Sequence, residues 1–193
     1  MMTTLLKKIH ATELKPGELP DARQTALDWA DFLQDHLPRE QYQKLRGLIE
    51  AVPRDTHVLH GDCHVKNVMI QNGETLLIDM DTLCQGHPVF EFAAIYIDYQ
   101  GYGELNSEDV TTFFGIPHEI CAELMRLIIV EYFDLKEEAA YRAILDKARV
   151  IGYARLMRRT IRRMGHTEQG KQLAAYYAER LTVLLDSVDS LTF

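Results

Sequence analysis

The sequence predicts a mainly helical α+β protein in which one small β-hairpin interrupts a succession of amphipathic helices. Three observations carry that expectation. Apolar residues recur at three- and four-residue spacing on both sides of the middle of the chain. Between those blocks, residues 56–78 change to short β-type runs around Asn72-Gly73, a strong two-residue hairpin signal. The length of 193 residues, with 47% hydrophobic and 26% charged side chains, suits one soluble globular unit, so residues 1–193 are expected to form a single domain.

Taken in order, Leu5 to His10 reads as the last turns of an amphipathic helix, with too few residues ahead of it to be stable by itself. After Lys15-Pro16-Gly17 and Leu19-Pro20, the segment Ala22 to Leu37 places Ala26, Trp29, Ala30, Leu33 and Leu37 on one stripe. Arg39 to Val52 does the same with Tyr42, Leu45, Leu48, Ile49 and Val52, and the two helices are expected to pack together. Thr56 to His60, Asn67 to Gln71 and Thr75 to Ile78 supply the short β segments. Helices are then expected over Pro88 to Tyr99, Ser107 to Phe114, Pro117 to Phe133, Glu137 to Arg163 and Thr167 to Leu185, with Pro88 and Pro117 in first turns and Gly165 as a stop.

Charge and cysteine content narrow the function classes. Twenty-nine acidic against 21 basic residues give a formal charge of -8, which disfavours nonspecific nucleic-acid binding and suits a cationic small molecule. Cys63, Cys84 and Cys121 are odd in number and widely spaced, as expected of reduced thiols in a cytoplasmic protein. The first ten residues lack the charge order and apolar length of a signal peptide, and no apolar run approaches the roughly 18 residues of a membrane span. Neither a membrane nor a nucleic acid is therefore an expected partner.

The chemistry concentrates in His60-Gly61-Asp62-Cys63-His64-Val65-Lys66-Asn67 and Ile78-Asp79-Met80-Asp81. Side chains on the loop before one short strand and on the loop after the next can converge on one small volume. A carboxylate such as Asp62 beside a hydroxyl can orient it and accept its proton, while Asn67 and Asp79 are hard oxygen donors suited to Mg²⁺. That is the division of labour a phosphoryl-transfer site requires.

The pattern His-Gly-Asp-x-His-x-x-Asn followed by Ile-Asp-x-Asp resembles the catalytic core of the aminoglycoside phosphotransferase and choline kinase-like family. The resemblance runs from about Leu5 to the carboxy terminus and is most specific between Leu59 and Ala94. It implies a protein kinase-like fold of which this chain is the larger, helical carboxy-terminal lobe, with a catalytic loop at 57–67, a metal segment at 76–88 and a helical remainder at 88–190. It further implies Asp62 as catalytic base, His60 as the loop's structural support, Asn67 and Asp79 as Mg²⁺ ligands, and ATP or GTP as phosphoryl donor to a hydroxyl of a small molecule. Asp81 is open between a second Mg²⁺ and a loop cap.

Two departures from the family pattern stand out. Glu91 occupies a position where the family often has aspartate, which keeps the charge on a longer arm. The glycine-rich phosphate loop and strand lysine of an amino-terminal lobe are absent from the first sixty residues. The chain alone is therefore expected to be inactive or nearly so, with the lobe supplied by a longer gene product, a start upstream of Met1, or another chain.

Other readings remain beside this one. A non-catalytic helical module that binds a partner would retain the motif without using it. A dinuclear metallophosphoesterase would need further Asp-x-His and Gly-Asn-His segments, and the sequence has none. His57, His60, His64 and Cys63 lack a familiar zinc spacing, and Cys63 lacks a thiolate-stabilising arrangement beyond two histidines. Lys66 is expected to face solvent, with help to a phosphate as the alternative. Arg155, Arg158, Arg159, Arg162 and Arg163 are expected to form a solvated face offset by nearby acids, with a docking surface for an acidic partner or phosphorylated substrate as the alternative. Phe90, Phe92, Tyr96, Tyr99 and Tyr102 are expected in the core rather than in a cage for a quaternary ammonium.

Overall fold

A computed structural model describes all 193 residues. The chain starts with helix α1 (Met2–His10), a nine-residue element held by what it packs on rather than by its own propensity. Leu6 is fully buried, and the Thr3 hydroxyl donates to Glu131 at 3.0 Å. The sequence reading of a helix that needs outside support is correct, although the helix spans more of the terminus than the expected Leu5 to His10. Helices α2 (Ala22–Phe32) and α3 (Arg39–Glu50) form the expected pair. The Asp21 carboxylate caps α2 by accepting from the backbone N–H groups of Arg23 and Gln24, and α2 passes into a short 3₁₀ turn at Leu33–Asp35.

The β structure is two small ribbons instead of one hairpin. Strands β2 (Val68–Gln71) and β3 (Glu74–Leu77) pair antiparallel across Asn72 and Gly73, both with positive φ as a tight hairpin turn demands. Strand β1 (Val58–Leu59) pairs instead with β4 (Cys84–Gln85), in the register Val58↔Gln85 and Leu59↔Cys84. The buried Gln85 side chain fastens the loop before α2, accepting from Gly17 N and Leu19 N and donating to Lys15 O. The segment between the two ribbons is thereby held at both ends.

Helices α4 (Val89–Tyr99), α5 (Ser107–Phe114), α6 (His118–Phe133), α7 (Glu138–Met164) and α8 (Glu168–Ser187) make up the rest. One continuous apolar cluster draws residues from all eight helices, centred where α4 lies against α7. Helix α4 is buried almost all round, as befits a central helix. Glu104 joins three elements behind it, accepting hydrogen bonds from the hydroxyls of Tyr96 (2.5 Å), Tyr153 (2.9 Å) and Tyr176 (3.0 Å). Phe90, Phe92, Tyr96 and Tyr99 are buried in the core as expected, whereas Tyr102 is half-buried and lines a cavity. No helix is long and apolar enough to cross a membrane.

Candidate active site

The loop from His60 to Asn67 is shaped by a carboxylate placed beneath it. Glu91, fully buried in the first turn of α4, accepts from His60 N at 2.6 Å and from Gly61 N at 3.1 Å. Two adjacent backbone donors aimed at one carboxylate form charge-assisted bonds that fix the turn. The longer side chain of glutamate thus reaches the loop. Glu91 also faces His10 Nε2 at 3.4 Å, and His10 Nδ1 contacts the Tyr132 hydroxyl at 2.8 Å. The part played by His10 escaped sequence reasoning, because it depends on α1 folding back over a hundred residues.

Gly61 supplies the bend. Its φ is +79°, and a Cβ there would sit 2.6 Å from the Thr82 carbonyl oxygen. The Thr82 hydroxyl donates to His60 O at 2.7 Å, and His60 Nε2 lies 3.1 Å from Ile78 O. His60 is therefore buried support beneath the residue preceding Asp79. At the far end of the loop, Val65 N donates to the Tyr99 hydroxyl at 2.9 Å.

Asp62 and Asn67 meet directly. The Asn67 amide nitrogen donates to the Asp62 backbone carbonyl at 2.9 Å and to its carboxylate Oδ2 at 3.2 Å. No protein donor reaches Asp62 Oδ1 or Asn67 Oδ1, so each keeps an oxygen for a ligand. His64 Nε2 lies 3.6 Å from Asp62 Oδ2, and burial pushes the imidazole below its ordinary range against the pull of that carboxylate. Asn67 O accepts from Ile78 N at 2.9 Å, which extends the β2–β3 ladder to the residue before Asp79.

No side-chain hydrogen bond or ion pair links Asp79 or Asp81 to the Asp62–Asn67 pair. Asp79 sits in the left-handed region at φ 63° at the start of a 3₁₀ turn, Met80–Thr82, exposed and without a salt bridge or side-chain hydrogen bond. Asp81 lines a cavity of about 250 Å³ with Gly61, Thr82, Trp29 and Arg155. Asn67 Oδ1 and the Asp79 carboxylate are both hard oxygens of the kind Mg²⁺ takes, and neither meets a protein cation.

Asp62 opens onto a second cavity of about 450 Å³, lined also by His64, Asp98, Tyr102, Arg155 and Arg159. Asp98 has an enclosed Oδ2 with no hydrogen-bond partner. Burial, with the Asp62 carboxylate adding to it and Arg155 opposing it, pushes the Asp98 carboxyl up to about 8. Nothing in the sequence marked this residue, since a polar position on an apolar helix looks ordinary until its surroundings are known.

The remaining candidates resolve individually. Lys66 Nζ donates to Phe113 O at 3.2 Å and lies over the Phe113 ring, which ties the loop to α5. Cys63 is buried, and desolvation drives its thiol far above the ordinary value, leaving no thiolate. His57 turns to Asp55 and Glu13, away from His60 and His64. No three His, Cys, Asp or Glu side chains gather anywhere to share a metal ion, so the bridging set of a dinuclear phosphoesterase is not assembled. The α7 arginines are offset by acids only through space, Asp28 acting on Arg158 and Asp98 on Arg155 and Arg159, and none of the five makes an ion pair with a carboxylate. They rest on aromatic rings instead, Arg155 over Trp29, Arg158 over Phe32 and Arg159 over Tyr102.

Three comparisons bear on this arrangement. The model of the phosphotransferase enzyme family, APH, matches residues 2–114. No curated protein sequence matches the chain. Among solved structures, the fold is similar to a thermostable mutant of aminoglycoside phosphotransferase APH(4)-Ia in ternary complex with ADP and hygromycin B, with TM-score 0.55 and 15% identity over 98% of this chain and 64% of that one. A second thermostable mutant of the same enzyme, in complex with AMP-PNP and hygromycin B, gives TM-score 0.52 and 17% identity over 96% of this chain and 63% of that one. The chain thus spans just under two thirds of the length of the structures it resembles.

Proposed function

The chain belongs to the phosphotransferase enzyme family, and from that premise we propose that it is the acceptor-side lobe of a Mg²⁺-dependent kinase that moves the γ-phosphoryl group of ATP or GTP to a hydroxyl of a small molecule. The observation that carries this reading is the Asp62–Asn67 pair, hydrogen-bonded to each other, braced from below by Glu91 and open to a ligand-sized cavity.

Asp62 orients the acceptor hydroxyl and takes its proton on Oδ1, the oxygen left free by Asn67. The acceptor oxygen forms the new bond to the γ-phosphorus. The bond from that phosphorus to the β–γ bridging oxygen breaks, and the nucleoside diphosphate leaves with the electron pair. Asn67 Oδ1 and Asp79 are the proposed Mg²⁺ ligands; when bound, the ion neutralises charge on the donor phosphates. His60 and Glu91 hold the loop rather than touch the reactants.

Positioning is nearly the whole of such catalysis, and nothing in these 193 residues clamps a nucleotide from above. The hairpin β2–β3 supports the reading that another segment does so. Met69 and Ile70, on opposite faces of β2, are 42% and 67% exposed, and Ile78 and Met80 beside Asp79 are exposed too. An exposed β2 edge of this kind, with β3 half-buried against α1 and the core, suits a lobe seated on it.

The test is calorimetric titration of the chain with ATP or GTP, with and without Mg²⁺. Mg²⁺-dependent binding is expected, weak in the absence of the second lobe and lost in Asp79→Ala. Equal nucleotide affinity for the wild type and Asp79→Ala would overturn the ligand assignment. Robust phosphorylation by the isolated chain would overturn the need for a second lobe.

A further inference from the structure

The arginine face of α7 is unusual for an acidic protein. Arg155, Arg158, Arg159, Arg162 and Arg163 line, with Trp29, a cavity of about 470 Å³. Clustered guanidinium groups repel one another, and such a cluster ordinarily recruits carboxylates. Here it recruits none. Arg158 Nε is buried without a hydrogen-bond partner, and burial together with the charge of Arg162 lowers the Arg158 guanidinium from its usual value. Asp28 on α2 is near enough to oppose that effect, yet its carboxylate accepts from Gln24 at 3.0 Å instead.

The second observation is where this cavity leads. Arg155 and Arg159 also line the cavity that contains Asp62. A molecule with its hydroxyl at Asp62 therefore extends naturally toward five arginines, none of them ion-paired with a carboxylate. The stacking of Arg155, Arg158 and Arg159 on Trp29, Phe32 and Tyr102 holds their planar forks in place, which lessens the cost of ordering them around an anion.

We propose that the acceptor is a phosphate monoester: its hydroxyl meets Asp62, and its phosphate is gripped by Arg155 and Arg159 with the arginines beyond them. This rests on the phosphotransferase reading of Asp62 and specifies the class of molecule that reading leaves open. It replaces the cationic acceptor that the net charge of -8 suggests. The other carboxyls near Asp62 do not contradict it. Asp98 is held mainly protonated at neutral pH by its burial, and Asp109 at the rim accepts from the Asn106 side chain at 3.0 Å.

Trp29 is the sole tryptophan and lines the arginine cavity, so its fluorescence reads occupancy directly. Titration of the full chain with glycerol 3-phosphate is expected to give a saturable change, and glycerol none. Arg159→Gln and Arg162→Gln, both at exposed positions that leave the fold intact, are each expected to weaken binding by about tenfold, with Arg159→Lys retaining part of it. An equal response to glycerol, or undiminished affinity in both glutamine variants, would overturn the proposal. Tighter binding of a polyglutamate peptide than of glycerol 3-phosphate would overturn it in favour of a protein-docking surface.

Failure of the anion site is separable from failure of the kinase reading. Asp79→Ala is expected to leave the Trp29 response to glycerol 3-phosphate in place while abolishing Mg²⁺-nucleotide binding. In the wild type, absence of the Trp29 response alone removes the acceptor class, and absence of Mg²⁺-dependent nucleotide binding alone removes the phosphotransferase.

Discussion

Two aspartates share one cavity, and their surroundings give them opposite work. Asp62 is half-buried, keeps a free oxygen and faces the ligand space, whereas Asp98 has an enclosed oxygen with nothing to bond. With its carboxyl raised from an ordinary 3.8 to about 8, Asp98 keeps a proton in the folded state that the unfolded chain releases over that range. Stability is therefore full below about pH 4 for this group and falls as pH rises toward 8. The expected outcome for Asp98→Asn is a flatter profile: urea denaturation from pH 5 to 9 should show the wild type losing stability while the variant changes little. An identical slope in both would show that Asp98 is not the titrating group. His64 acts at the other end, since a depressed imidazole resists protonation and stabilises less as pH drops below 6.5. The Asp62–Asn67 contact was legible in the sequence because their five-residue spacing across one loop is itself the signal. Asp98 and His10 were not, because their roles come from packing between distant segments.

Among the elements, the crossing of α4 and α7 is set by a single missing side chain. A Cβ at Gly152 would lie 2.5 Å from Cδ1 of the fully buried Tyr96 ring, whose hydroxyl is held by Glu104. Alanine is the better helix former by about 1 kcal/mol, but the clash forces the two helices apart at a cost of about 1–3 kcal/mol. Gly152→Ala is accordingly expected to destabilise the fold by about 1 kcal/mol or more, read as a lower urea midpoint with an unchanged slope. A stabilised variant would mean that the ring yields freely. Helices α2 to α8 could be read from apolar stripes because each has a buried face wide enough to impose its period. Strand β4 could not, since two residues carry no period and Cys84–Gln85 becomes a strand only by meeting β1.

For the molecule as a whole, net charge does not describe where charge sits. A total of -8 coexists with a concentrated positive face on α7, because a sum over the sequence is blind to placement. The exposed ribbon poses the matching question for apolar surface. Ile70 supports nothing in the core, so Ile70→Lys is expected to change stability by no more than about 0.5 kcal/mol. It should also reduce self-association in concentration-dependent light scattering. A large loss of stability would show that the hairpin is part of the core.

The tether between α1 and the loop beneath Asp62 has a consequence in time. Helix α1 is synthesised early, but it docks on Glu131 and Tyr132 and meets Glu91, all of which leave the ribosome much later. Nine residues do not hold a helix alone, so this segment waits unformed while more than a hundred residues follow it. The His10 contact with Glu91 therefore forms only after a loop closure of about eighty residues, a step that costs more entropy than the local bonds from His60 and Gly61 to the same carboxylate.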